Sequence, residues 1–165
     1  MKFKFKIQQY QTDAVEQTVE VFGGQPSKAE TKYRRDLGKT DGKIIYEDDY
    51  TGYRNNEVEL DRSQLLDNIR RIQGLGNIPP SKSLVATDGL GACSLDIEME
   101  TGTGKTYVYI KTMFELNRRY GWTKFIVVVP SVAIREGVAK SFAMLEEHFM
   151  DKYEKKARYF IYDSS

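Results

Sequence analysis

Between Ala92 and Tyr162, three short apolar runs alternate with two long amphipathic stretches, and this alternation constrains the architecture more than any other feature of the chain. Cys93 to Met99 reads as a strand, and Lys105 to Tyr120 as a helix with the stripe Tyr109, Met113, Leu116 and Tyr120. Lys124 to Val129 is almost wholly apolar, which suits a strand buried on both faces, and Pro130 ends it. Ser131 is placed to cap a second helix whose apolar line is Ile134, Val138, Phe142, Leu145 and Phe149; Ala157 to Tyr162 then supplies a third strand. Strands separated by helices of this length predict a parallel sheet with right-handed crossovers, so the expected fold class is α/β.

Upstream the pattern is less regular. Lys2 to Ile7 alternates lysine with apolar residues, the two-residue period of an edge strand. From Gln11, the spacing of Ala14, Val15, Val19 and Phe22 predicts an amphipathic helix that Gly23-Gly24 and Pro26 stop. Residues 23–91 read as an insertion: the pieces Lys43 to Tyr46 and Glu57 to Leu60 suggest a small hairpin on a polar excursion. Asp61 with Gln64 reads as a capping box that opens a helix with Leu65, Leu66, Ile69 and Ile72 on its apolar face, ended by Gly74, Gly76 and Pro79-Pro80. The expected division is therefore 1–22, a strand and helix; 23–91, an α+β insertion; and 92–165, the main sheet domain.

Composition removes several function classes. Among 165 residues there is one cysteine, Cys93, and one histidine, His148, so an internal disulfide, a zinc cluster and a Cys/His nucleophilic pair are all disfavoured. Cys93 reads as a small buried hydrophobe. The formal charge of +1 offers no global basicity toward nucleic acid, so any such claim must come from a motif. The longest apolar run, Phe125 to Val129, is far too short for a membrane span, and the N-terminus lacks the apolar stretch of a signal peptide; a cytoplasmic chain with no membrane partner is expected.

The chemistry concentrates in Glu98-Met99-Glu100-Thr101-Gly102-Thr103-Gly104-Lys105-Thr106, between a predicted strand and a predicted helix. This is the pattern of a phosphate-binding P-loop. Backbone N–H groups must wrap a phosphate closely, and Gly102 and Gly104 can take the required dihedrals without a Cβ clash. The N-terminus of the following helix adds its dipole to the same anion site. Lys105 would place its ammonium on the β- and γ-phosphates, and the Thr106 hydroxyl would ligate Mg2+. The strict pattern wants Gly where Met99 stands, so the match is partial. The alternative is a glycine turn that binds nothing.

Met99 to Thr106 resembles motif I of the superfamily 2 helicases, which tolerate a residue other than Gly at the first position. The runs Glu98 to Tyr109, Phe114 to Gly121 and Phe125 to Val138 resemble the motor region of the Res subunit of type III restriction-modification enzymes. The likeness extends from about Lys6 to the C-terminus and is weakest across 23–91. It implies a RecA-like P-loop fold, incomplete here, belonging to an ATP-dependent DNA motor that uses ATP and Mg2+. It also implies double-stranded DNA and a modification (methyltransferase) subunit as partners, and an endonuclease domain elsewhere. The catalytic residues it implies are Lys105 and Thr106, within a nucleotide site of Thr101, Gly102, Thr103, Gly104, Lys105 and Thr106. Ile7-Gln8-Gln9-Tyr10-Gln11 is similar to the family's adenine-reading element, with Gln11 in the matching place; a Gln amide carries the donor and acceptor that adenine requires. The plainer reading leaves Gln11 as an exposed helix-start residue. Pro130 to Arg135 resembles motif Ia, in which Ser131 and Arg135 would meet a DNA phosphate; the plainer reading leaves Ser131 an N-cap and Arg135 solvated.

ATP hydrolysis also needs an acidic strand end to hold Mg2+. Asp163 is the only positional candidate, but Ser164 stands where a Glu is expected, and the resemblance puts the family's Asp-Glu box further downstream. The chain therefore reads as the front of a larger protein that binds nucleotide without rapid turnover. Two rivals are a compact P-loop ATPase or kinase using Asp163 and a nucleotide-gated module whose 23–91 insertion binds a partner. Lys32, Arg34, Arg35, Lys39 and Lys43 are diluted by nearby acids and read as a solvated loop.

Overall fold

The computed structural model describes residues 6–27, 36–40, 43–46, 55–86 and 91–162. They form four helices and one antiparallel hairpin: α1 (Gln9–Glu20), β1 (Asp36–Thr40), β2 (Lys43–Tyr46), α2 (Arg62–Leu75), α3 (Lys105–Tyr120) and α4 (Val132–Tyr153). The expected parallel α/β sheet, and with it the RecA-like P-loop fold that the resemblance implied, is absent among the described residues, where the hairpin is the only sheet. Lys2 to Phe5 and Asp163-Ser164 lie outside the described residues, as do Lys32, Arg34 and Arg35.

The three runs expected as parallel strands carry no strand. Cys93 to Met99 is irregular, with the Ser94 N–H donating to the Val85 carbonyl at 2.7 Å. In Lys124 to Val129 none of the apolar side chains is buried, and Ile126 and Val128 are 91% and 88% exposed. In Ala157 to Tyr162, Phe160 is 95% exposed. The physical reason is that an extended segment cannot satisfy its own backbone. A run of Val and Ile becomes a buried strand only when neighbours take its N–H and C=O groups and helices cover its faces. Around residues 123–124 that service comes from one side chain instead: Asn55 Oδ1 accepts from the N–H of Thr123 and of Lys124, both at 2.8 Å, and Asn55 Nδ2 donates to the Lys124 carbonyl at 2.6 Å.

The helices follow their sequence signals closely. In α2, Asp61 Oδ1 accepts from the N–H of Ser63 and Gln64, and Gln64 Oε1 accepts from the Asp61 N–H, the reciprocal capping box. Leu65 alone of its expected face is fully buried. Asn68 holds α2 to the end of α1 by donating to the carbonyls of Val21 and Gly23. The hairpin uses Lys43–Tyr46 as expected, but its partner is Asp36–Thr40 and not Glu57 to Leu60.

Helix α3 is the centre of the molecule. On one side, Val108 and Tyr120 join Val15 and Val19 of α1 and Trp122, with Ala14, Phe22, Val58 and Met99 against them. On the other, Ile110 and Phe114 join Leu145 and Phe149 of α4. The Phe114 and Phe149 rings stack 4.7 Å apart. Because α3 is covered from two directions, it buries residues that a one-sided stripe does not select: Lys111, Thr112 and Glu115 are buried, whereas Tyr109, Met113 and Leu116 are half-buried. In α4 burial is confined to Leu145 and Phe149, and Ile134 is exposed, so only the later turns rest on α3. Gly121 at a left-handed φ of 76° ends α3, with Arg118 and Arg119 complementing its C-terminal dipole.

Candidate functional site

The loop leading into α3 has a definite shape. Gly102 and Gly104 both take left-handed conformations, φ 83° and 86°, which residues with a Cβ adopt rarely. Gly104 is the N-cap of α3, and its carbonyl accepts the first helical bond, from the Val108 N–H at 3.0 Å. Lys105 is therefore the first residue of a 16-residue helix and Thr106 the second. Met99, at the position where the strict motif has Gly, anchors the loop by packing on the α1–α3 cluster.

Two carbonyls organise the loop. The Glu100 carbonyl accepts from Thr103 Oγ1 at 2.6 Å and from the Lys105 ammonium at 2.8 Å. The Thr103 carbonyl turns the other way, toward α1, and accepts from Gln11 Nε2 at 2.8 Å and from the Tyr10 hydroxyl at 3.2 Å. A Cβ added at Gly104 would lie 2.5 Å from Gln11 Nε2, so glycine there serves close approach as well as conformation. Thr101 and Gly102 are exposed, and a Cβ at Gly102 would meet nothing within 4 Å. The structure thus brings Gln11, Thr103, Gly104 and Lys105 together. Tyr10 was not singled out by sequence reasoning, although it directly precedes Gln11.

Ser131 and Arg135 sit at the start of α4. The Ser131 hydroxyl accepts from the Ile134 N–H at 3.3 Å as an N-cap, and Arg135 reaches Glu136 at 3.4 Å. Among the described residues, no hydrogen bond or ion pair joins them to the glycine loop.

Behind the loop lies a polar cluster that sequence reasoning also missed. Lys111, 2% exposed, donates to Thr12 Oγ1 of α1 at 3.3 Å. Burial and the Lys152 charge push its ammonium pKa down, against the pull of Glu115 and Glu16. Glu115, 3% exposed, accepts from the Tyr153 hydroxyl at 2.6 Å and from Arg118 at 2.6 Å. Burial raises the Glu115 carboxyl, but the hydrogen bonds from Tyr153 and Arg118, with the charges of Arg118 and Lys152, bring it below the usual range. Burial and the Glu115 bond hold the Tyr153 hydroxyl far above the ordinary tyrosine value. His148 pairs with the Tyr107 hydroxyl at 3.2 Å, not with Cys93, and burial with Lys152 and Lys111 pushes its imidazole down, against Asp151. Burial pushes the half-buried Cys93 thiol up, away from a reactive thiolate. The described residues contain no group of three or more His, Cys, Asp or Glu side chains able to hold a metal ion. No described helix is long and apolar enough to cross a membrane.

Over residues 4–163 the chain matches the family described as type III restriction enzyme, res subunit, and it belongs to that family. It is similar to the Type III restriction-modification enzyme EcoP15I Res subunit of Escherichia coli, 43% identical over 115 residues, 67% of this chain and 11% of that protein. It is similar also to the EcoPI Res subunit of Escherichia phage P1, 40% identical over 113 residues, again 67% of this chain and 11% of the relative. The StyLTI Res subunit of Salmonella typhimurium is 50% identical over 64 residues, 37% of this chain and 6% of that protein. The chain thus matches only a small part of the length of these curated relatives.

Proposed function

We propose that residues 98–106 are the phosphate-binding loop of an ATP-dependent DNA motor segment. The observation that carries this reading is the pair of left-handed glycines, Gly102 and Gly104, running directly into α3 with Lys105 as its first residue. Helix N-termini present unpaired N–H groups and a positive dipole end to an anion, and the glycines let the backbone close around it. The backbone N–H groups of Thr101, Gly102, Thr103 and Gly104 bind the phosphates. Lys105 would leave the Glu100 carbonyl for the β- and γ-phosphate oxygens, and the Thr106 hydroxyl would hold Mg2+. Bound Mg·ATP supplies the phosphoanhydride bond whose cleavage drives a motor. Gln11 spends one N–H on Thr103, and its second N–H and its oxygen remain for the adenine edge.

The relatives are named as Res subunits of type III restriction-modification enzymes, and on that basis double-stranded DNA and a modification (methyltransferase) subunit are the proposed partners. Ser131 and Arg135, at the N-terminus of α4, are the proposed contacts to a DNA phosphate. In the whole protein the segment would contribute to coupling ATP hydrolysis with DNA movement and cleavage. Calorimetric titration of the chain with Mg·ATP beside the Lys105→Ala variant tests the reading. Binding that disappears in the variant is expected; no binding by the parent chain, or equal binding by both, would overturn it.

A further inference from the structure

The Thr103 carbonyl collects two donors from the start of α1, Gln11 Nε2 and the Tyr10 hydroxyl, across more than 90 residues of sequence. Both lone pairs of that carbonyl are thereby used. In a trans peptide the C=O and the following N–H point in opposite directions, and the described chain contains no cis bond. Fixing the Thr103 carbonyl toward α1 therefore aims the Gly104 N–H away from α1. Without those donors the plane between Thr103 and Gly104 is poorly held, because glycine tolerates the dihedrals on either side of a peptide flip. Thr103 is otherwise tied to Glu100 through its hydroxyl and its own N–H, which hold the side chain and the preceding peptide and not the Thr103 carbonyl.

We propose that Tyr10 and Gln11 are positioning residues: together they latch the Thr103 carbonyl and so set the orientation of the Gly104 N–H, a donor that the phosphate loop requires. The latch acts on the anion site itself, independently of any base that Gln11 also reads. Gly104 is part of the same device, since the Gln11 amide occupies the space a Cβ would take. The assignment to phosphate binding rests on the proposed function; the latch on the loop does not.

The test separates the two. Hydrogen exchange is followed in the 165-residue chain without ligand, comparing the parent with Gln11→Met, which keeps side-chain length while removing the donor, and with Tyr10→Phe. Exchange at the amides of Thr103 and Val108, whose N–H groups donate to the Glu100 and Gly104 carbonyls on either side of the latched peptide, is expected to rise about three- to tenfold in Gln11→Met, the span of one net hydrogen bond, and less in Tyr10→Phe, while α2 is unchanged. Unchanged exchange at those amides overturns the latch. In a second arm, inorganic tripolyphosphate and Mg·ATP are titrated into the same proteins. Equal weakening toward both anions in Gln11→Met supports a latch that serves the phosphates. Loss of ATP binding with tripolyphosphate binding intact makes Gln11 a base reader only and overturns that role. If the parent binds neither anion, the nucleotide-site reading fails, and the exchange result alone decides the latch.

Discussion

The interface of α3 with α4 and the segment Lys124 to Val129 are both rich in large apolar side chains, yet one is dry and the other wet. Phe149 is 2% exposed and stacks on Phe114, whereas Ile126 and Val128 stand almost wholly in solvent. Helices satisfy their backbone internally and need a neighbour only for one face, so α3 and α4 can pack pairwise. An extended run needs neighbours for both its backbone and its faces. Hydrophobicity read along the chain is therefore a statement about what a segment could bury, and the two regions differ in whether a partner is at hand.

Four experiments sharpen or break this comparison. The largest effect is expected from Phe149→Ala, which removes a ring packed on both Phe114 and Tyr107; urea unfolding should register a loss of about 3–5 kcal/mol. Ile126→Ala, at a residue 91% exposed in the wet segment, should stay within about 0.5 kcal/mol, and an equal loss at both positions would abolish the contrast. Next comes Glu115→Ala, which leaves the Tyr153 hydroxyl and Arg118 without their acceptor, at a cost of about 2 kcal/mol, because Arg118 keeps contact with water.

The depressed Glu115 carboxyl adds a pH signature. Its contribution is present above the ordinary carboxylate range and disappears as pH falls through the folded value, so Glu115→Gln should flatten the acid limb of a stability–pH curve. Asp61→Ala should cost about 1 kcal/mol through the lost capping box, seen as faster hydrogen exchange in the first turn of α2. The smallest effect concerns His148. Its imidazole is depressed in the folded chain, so the unfolded chain takes up the proton first and stability falls as pH drops through the ordinary imidazole value toward the lower folded one. Thermal melts at stepped pH should show that decline, and His148→Phe should remove it.

What the sequence carried legibly were features that are local. The cap at Asp61, the stripe of Val15 and Val19, the bounds of α3 and the Ser131 cap all depend on residues within a few positions of one another, and all are present. The expected parallel sheet is absent among the described residues because strand pairing is decided by distant segments, which a local apolar pattern does not supply. The buried Lys111 and Glu115 escaped for a related reason: a stripe rule assumes one covered face, and α3 is covered on two. At the loop, the left-handed turn at Gly102 and Gly104 and the start of α3 at Lys105 were identifiable from type and spacing. That Tyr10 would share the Thr103 carbonyl with Gln11 depended on how α1 docks against the loop, which no spacing encodes.

Lys105 begins the helix that, among the described residues, alone borders both apolar clusters. A ligand that engages only the folded form of that first turn would shift the global folding equilibrium by mass action, so occupancy of the loop would be felt as a higher melting temperature of the whole helical body. Thermal shift across a panel of phosphate-bearing compounds would then read the site without any label or turnover, and the Lys105→Ala chain would serve as the instrument's zero.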